Sequence, residues 1–164
     1  MTEDLVGSVL VLKATRLLKS AGVPDAGRDA RRLFSHAMGV DASRLTLTLP
    51  DPVAAEDAAV FTTLIARRQN REPVSHLTGK RAFYGREFAV TPDVLDPRPE
   101  TETLIEVALR SHFTKMADLG TGSGCILVTL LAEVSCGQGI GVDLSPSALA
   151  VAARNAQTHG VVDR

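Results

Sequence analysis

Asp118-Leu119-Gly120-Thr121-Gly122-Ser123-Gly124 carries the strongest fold signal in the chain. It follows an apolar run at 116–119 and leads into a helical pattern that continues to about Glu133. A strand that passes through a glycine turn into a helix is where open α/β sheets take small molecules, outside the carboxyl ends of their strands. Gly120, Gly122 and Gly124 let the backbone turn tightly and approach a ligand without Cβ clashes, and the helix behind them offers free N–H groups. A second apolar run then ends at Asp143, Pro146 suits the first position of another helix, and Gly160 suits its end. Strand, helix, strand, helix at this spacing predicts a βαβ unit, and therefore a parallel sheet.

Asp143 stands about 20 residues beyond the loop, at a strand end, where a carboxylate can accept hydrogen bonds from both ribose hydroxyls of an adenosine. Loop and acid together predict a nucleoside pocket. The plainer reading of the glycines is a tight strand-to-helix turn of the kind any α/β protein can use. Two details favour S-adenosylmethionine over a dinucleotide. The spacing is GxGxG rather than GxGxxG, and Asp118 precedes the loop. A pyrophosphate is repelled by that carboxylate, whereas a sulfonium and an ammonium are not.

Working back toward the N-terminus, Leu5, Val9, Leu12 and Leu17 recur at helical spacing over 5–19, and Gly22 with Pro24 ends the run. Asp25 is placed to cap a second helix with a stripe of Ala30, Leu33, Phe34, Ala37 and Met38, closed by Gly39. Asp41 is placed to cap a short turn. Asp51-Pro52 opens a longer helix through Val60, Phe61, Leu64 and Ile65 that stops near 70–73. Residues 1–72 read as a small helical domain. Over 74–94 the pattern changes to short β-branched and aromatic stretches, Phe83-Tyr84 and Phe88-Ala89-Val90, around Gly85-Arg86, which predicts a β-hairpin connector at 73–95. Pro99-Glu100-Thr101-Glu102 starts a helix through Leu104, Ile105, Val107, Ala108 and Leu109, with acids in its first turn as the helix dipole favours, so a new domain is expected from 96 to 164.

Composition narrows the field. Of the 164 residues 45% are hydrophobic and 23% charged, enough for packed cores and free of a disorder signature. A net charge of -1 gives no global field that would draw the chain to nucleic acid or an acidic membrane. Basic residues gather at Arg67, Arg68, Arg71, Lys80, Arg81 and Arg86, where a solvated face outweighs a binding patch. No apolar run is long enough to span a bilayer, and the first residues lack the basic head of a signal peptide. Cys125 and Cys136 are too few for a disulfide framework and have no metal-ligand spacing, so cytoplasmic residence without a bound metal is expected. His36, His76, His112 and His159 have no nearby nucleophile or acid to form a triad, and Cys125 reads as a small packed residue.

Four ordered motifs make the reading specific: Glu72-Pro73-Val74-Ser75-His76-Leu77-Thr78-Gly79; Phe83-Tyr84-Gly85 with Phe88 and Val90; Val94-Leu95 followed by Pro97-Arg98-Pro99-Glu100-Thr101-Glu102; and the glycine loop. With them the chain resembles the N-terminal portion of the peptide chain release factor N5-glutamine methyltransferases. The helix through Ala148-Leu149 and Arg154-Asn155-Ala156 also fits that family. The resemblance implies a Rossmann-like S-adenosylmethionine-dependent methyltransferase sheet, cut short here, preceded by a helical release-factor recognition domain. It implies N5-methylation of the glutamine in the Gly-Gly-Gln motif of class I release factors, with Gly120, Thr121, Gly122, Ser123, Gly124 and Asp143 holding S-adenosyl-L-methionine. Arg98, Glu100 and Thr101 would lie near that pocket, or serve only as a helix start. Asp96 departs from the family, which usually carries an apolar residue before Pro97.

The family's Asn-Pro-Pro-Tyr acceptor loop is missing, since no Asn-Pro-Pro occurs in the sequence, so no catalytic residue is assigned. An amide nitrogen is a poor nucleophile and needs acceptors that position it. The chain alone is therefore expected to be inactive, and marginal in stability because a half-built sheet leaves an unpaired edge and an open apolar face. Two alternatives stay open, an adenine-N6 nucleic-acid methyltransferase and a non-enzymatic release-factor-binding fragment.

Overall fold

A computed structural model describes residues 6–164 and divides the chain into two compact units, Met1–Thr78 and Gly79–Arg164. The first unit is helical: α1 (Gly7–Ser20), α2 (Ala26–Ala37), the short α3 (Leu45–Thr48), α4 (Ala55–Gln69) and α5 (Val74–Thr78). The second carries a hairpin, β1 (Lys80–Phe83) and β2 (Arg86–Ala89), then a 3-10 turn (Pro99–Thr101) running into α6 (Glu102–Ala108), and then β3 (Lys115–Leu119), α7 (Cys125–Glu133), β4 (Gln138–Val142) and α8 (Pro146–Thr158). The fold is mixed α/β with two small sheets.

Helix α1 buries a different face from the one its large apolar residues suggest. Leu5 lies outside the described residues, and Val9, Leu12 and Leu17 are 45–52% exposed. The buried stripe is Gly7, Val11, Ala14 and Leu18. Small residues decide the outcome, because they let two helices approach closely. A Cβ on Gly7 would sit 2.7 Å from Phe34 Cζ, so α1 can cross α2 there only as glycine. Phe34 and Phe61 meet edge to face at 5.2 Å between ring centroids in the core of this unit. Asp29, buried on α2, is paired with Arg68 of α4 at 2.9 Å, and Arg68 also donates to the Glu72 carbonyl. A buried charge requires such a partner.

Two helix starts differ from expectation. Asp25 precedes α2 but makes no side-chain cap, pairing with Arg28 at 3.2 Å instead. Helix α4 begins at Ala55, after the backbone of Val6 has bridged to Pro52. Residues 74–78 form α5, so His76 sits on a helix and the hairpin proper occupies 80–89.

Strands β1 and β2 pair antiparallel from Lys80↔Ala89 to Phe83↔Arg86 around Tyr84 and Gly85, both at positive φ. The hairpin is fastened to the rest of its unit. Tyr84 N–H donates to Glu102 Oε1 at 2.9 Å, Arg86 pairs with Glu133 at 2.7 Å, and the Phe88 ring packs 4.8 Å from the His159 ring. Asp96 is accommodated by Arg81, whose guanidinium lies 3.5 Å from Oδ2 while its Nε donates to the Pro97 carbonyl.

Strands β3 and β4 pair parallel, Lys115↔Gln138 through Leu119↔Val142, as the strand–helix–strand spacing predicts. Gly139 and Gly141 of β4 turn toward α7. Added Cβ atoms there would stand 2.5 and 3.0 Å from the two δ-methyls of Leu127, so the helix lies directly on the strand backbone. The alternate face is open, with Leu119 80%, Ile140 62% and Val142 41% exposed. Parallel sheets ordinarily bury both faces. Among the described residues no helix is long and apolar enough to cross a membrane, and no cluster of His, Cys, Asp or Glu is arranged to hold a metal.

Candidate functional site: the glycine loop and its acid

The loop begins where β3 ends and is held from beneath by β4. Gly120 and Thr121 both donate their N–H to the Val142 carbonyl, at 2.8 and 2.9 Å. Thr121 is buried, and its hydroxyl donates to Asp118 Oδ2 at 2.8 Å. The acid ahead of the loop is therefore bonded to the loop itself. Gly124 takes the N-cap position of α7 in the left-handed region, φ 76°, and its carbonyl accepts the Val128 N–H at 2.8 Å.

The three glycines do different work. All have positive φ, 79°, 54° and 76° at Gly120, Gly122 and Gly124, a conformation that costs other residues roughly 1–2 kcal/mol. Space separates them. An added Cβ at Gly120 or Gly122 would meet nothing within 4 Å, whereas at Gly124 it would stand 3.2 Å from Ala152 Cβ and 3.3 Å from Val128 Cγ2. Gly120 and Gly122 border open space that a ligand can enter, and Gly124 lets α7 approach α8. Gly124→Ala is therefore expected to cost roughly 2–4 kcal/mol, from strain plus overpacking. Gly122→Ala is expected to cost about 1–2 kcal/mol, from strain alone. Thermal melting checks this order, and a Gly122 variant that melts below the Gly124 variant contradicts it.

Asp143 closes the site. Its Oδ2 accepts the Gly122 N–H at 2.9 Å and its Oδ1 accepts the Ser145 N–H at 3.0 Å. These bonds, that from Ser145 first and that from Gly122 second, hold its carboxyl below the usual carboxylate range. It is thus ionised at neutral pH, and each oxygen keeps a lone pair for a further donor. Beside it Leu144 is fully exposed. An ionised acceptor pair, an open glycine backbone and an apolar surface are what an adenosine requires of a pocket, so the residues present fit that group.

Other sequence candidates lie elsewhere or play packing roles. Arg98 and Glu100 are exposed at the 3-10 turn, and Thr101 closes it by donating its N–H to the Arg98 carbonyl. Burial pushes the Cys125 thiol up, away from nucleophilic character. His159 bonds the Glu87 carbonyl at 3.0 Å. The gathered basic residues are locally matched. Arg67 pairs with Glu72, Lys80 with Glu87, and Arg71 donates to the Ala21 carbonyl. The role of one residue beside the loop was not legible in the sequence. Asn155 of α8 is 1% exposed and bonds the Ser123 carbonyl. Its signals were the fit of Arg154-Asn155-Ala156 to the family's helix and a lone polar position on the inner face, four beyond Val151.

Comparison with known proteins agrees with the resemblance carried by the motifs. Residues 10–79 match the PrmC N-terminal domain. The release factor glutamine methyltransferase of Cereibacter sphaeroides is 58% identical over 147 residues, covering 90% of this chain and 53% of that relative. Those of Rhodospirillum rubrum and Nitratidesulfovibrio vulgaris are each 43% identical, covering 98% and 94% of this chain and 50% and 54% of the relatives. The chain spans about half the length of the curated relatives it matches. Over that span the chain is similar to the N-terminal half of the release factor glutamine methyltransferases.

Proposed function

We propose that this chain supplies the S-adenosyl-L-methionine half-site of an enzyme that methylates the N5 amide nitrogen of glutamine in the Gly-Gly-Gln motif of class I release factors. The observation that carries the reading is the bond from Gly122 N–H to Asp143 Oδ2, because it fixes the open loop and the ribose-binding acid as one unit. The parallel unit β3–α7–β4–α8 is read as the first part of a Rossmann-like methyltransferase sheet, residues 1–72 as the release-factor recognition domain, and the cytoplasm as its compartment. The names of the relatives support the substrate.

When bound, the cofactor supplies an electrophilic methyl on its sulfonium, and the reading calls for no metal. The chain's own residues bind and orient. Asp143 takes the ribose hydroxyls, Gly120 and Gly122 keep the backbone free of side chains, and Asp118 adds negative charge on the strand side of the loop, which suits a cationic ligand better than a pyrophosphate. Positioning of the acceptor amide falls to the Asn-Pro-Pro-Tyr loop of the family, a sequence this chain does not contain. The pairing of Arg67, Arg68, Lys80, Arg81 and Arg86 with carboxylates favours a protein substrate over a nucleic-acid backbone.

Equilibrium dialysis with labelled S-adenosyl-L-methionine tests the reading. Retention displaced by S-adenosylhomocysteine and not by NAD is expected. Displacement by NAD would return the dinucleotide reading, and no retention would leave a release-factor-binding fragment.

A further inference from the structure

We propose that Asn155 is a positioning residue that ties the hairpin to the glycine loop, so that the backbone offered to the cofactor is held in place by strand β2. The inference rests on the reading of 120–124 as the cofactor half-site. The Asn155 side chain makes three hydrogen bonds: Oδ1 accepts the Ala89 N–H at 2.8 Å, and Nδ2 donates to the Ala89 carbonyl at 2.9 Å and to the Ser123 carbonyl at 2.8 Å. Both hydrogens of the amide are used, and its orientation is dictated, since a flipped amide would set Oδ1 against two carbonyls.

Each end of this tie answers a need of the backbone. Ser123 is 2% exposed and lies one residue before the α7 N-cap, so its carbonyl falls outside the ladder of that helix and needs a donor from elsewhere. Ala89 ends β2, and Val90 N–H donates to Gly79 on the β1 side, so the Ala89 N–H and carbonyl point away from β1. Asn155 meets both as a neighbouring strand would. A shift of the hairpin therefore pulls on the peptide between Gly122 and Gly124, the two residues that flank Ser123 in the loop.

Two variants separate the ends. Asn155→Asp keeps an acceptor for Ala89 N–H but removes both donations, while Asn155→Ala removes all three bonds. Site-resolved hydrogen exchange is expected to show the Gly122 and Gly124 amides exchanging on the order of tenfold faster in both variants. The Ala89 amide stays protected in the aspartate variant and is released in the alanine variant. Affinity for S-adenosylhomocysteine falls by a similar factor. Loop amides that exchange as in the wild type, or a uniform rise across every amide of the second unit, would overturn the proposal.

If a variant does not fold, the wild type still decides. Its Asn155 side-chain amide hydrogens are expected as a resolved, slowly exchanging pair with cross-relaxation to both Ala89 and the 122–124 loop, and an averaged, rapidly exchanging pair would refute the tie. Should the wild type take up no S-adenosylhomocysteine, the cofactor reading fails, and the exchange measurements still judge the tie on their own.

Discussion

Asp143→Ala is expected to lower the affinity for S-adenosyl-L-methionine by about a hundredfold or more, because it deletes the proposed acceptors for two ribose hydroxyls together with the brace on the loop. The brace has its own readout. With the carboxylate gone, the Gly122 and Ser145 N–H groups lose their acceptor, and their exchange rates rise even without cofactor. The same linkage predicts a pH dependence. The Asp143 carboxyl is held below the usual carboxylate range by these two donors, so the stability it contributes is fully present above the unfolded-state value, about 4. It is lost as the pH falls through the lower folded value. Protection of the two amides, taken against the intrinsic exchange rate at each pH, is expected to hold down to about pH 4 and to fall below it. Loss of protection already near neutral pH would contradict the assigned bonds.

Phe88→Ala is expected to destabilise the second unit by about 3–5 kcal/mol, a large share of the roughly 5–15 kcal/mol that holds an ordinary domain together. Phe88 is fully buried, with Phe83 at 6.0 Å and the His159 ring at 4.8 Å, and it belongs to the cluster that contains Ile105, Val128 and Leu131. The hairpin thus contributes a core side chain to the unit that carries the glycine loop. Tyr84 makes the measurement direct. It is the sole tyrosine of a chain without tryptophan, it sits at the hairpin turn, and it packs on the same cluster. Urea unfolding followed by its fluorescence is expected to show the midpoint collapse in the Phe88 variant. A loss below about 1 kcal/mol would mean that the hairpin is only laid on the surface.

Much of the second unit was legible in the residues, because its signals are chemical. The glycines of the loop, Pro146 at a helix start and an acid at a strand end mark the β3–α7–β4–α8 order, and Ser145 caps α8 by accepting the Ala148 N–H. The first unit was harder, because α1 is apolar on two sides. Large residues such as Leu12 and Leu17 outvoted the small Gly7 and Ala14, although it is small size that lets α1 meet Phe34. Helix α5 was missed because five residues starting after Pro73 carry too little periodicity to be told from a strand. At the site, residue types revealed the loop and Asp143. The division of labour between Gly122 and Gly124, and the three bonds of Asn155, depend on which atoms face each other across 66 and 32 residues of chain, and spacing along a helix carries no record of that.

Chemical-shift titration of isotope-labelled chain with S-adenosyl-L-methionine asks whether the glycine loop and Asp143 take the cofactor. Saturable shifts concentrated at the amides of Gly120 and Gly122 and at 143–145, with the first unit unmoved, are the predicted result. A folded spectrum whose loop amides do not respond, or shifts that saturate elsewhere, would contradict the assignment of the glycine loop and Asp143 as the cofactor half-site.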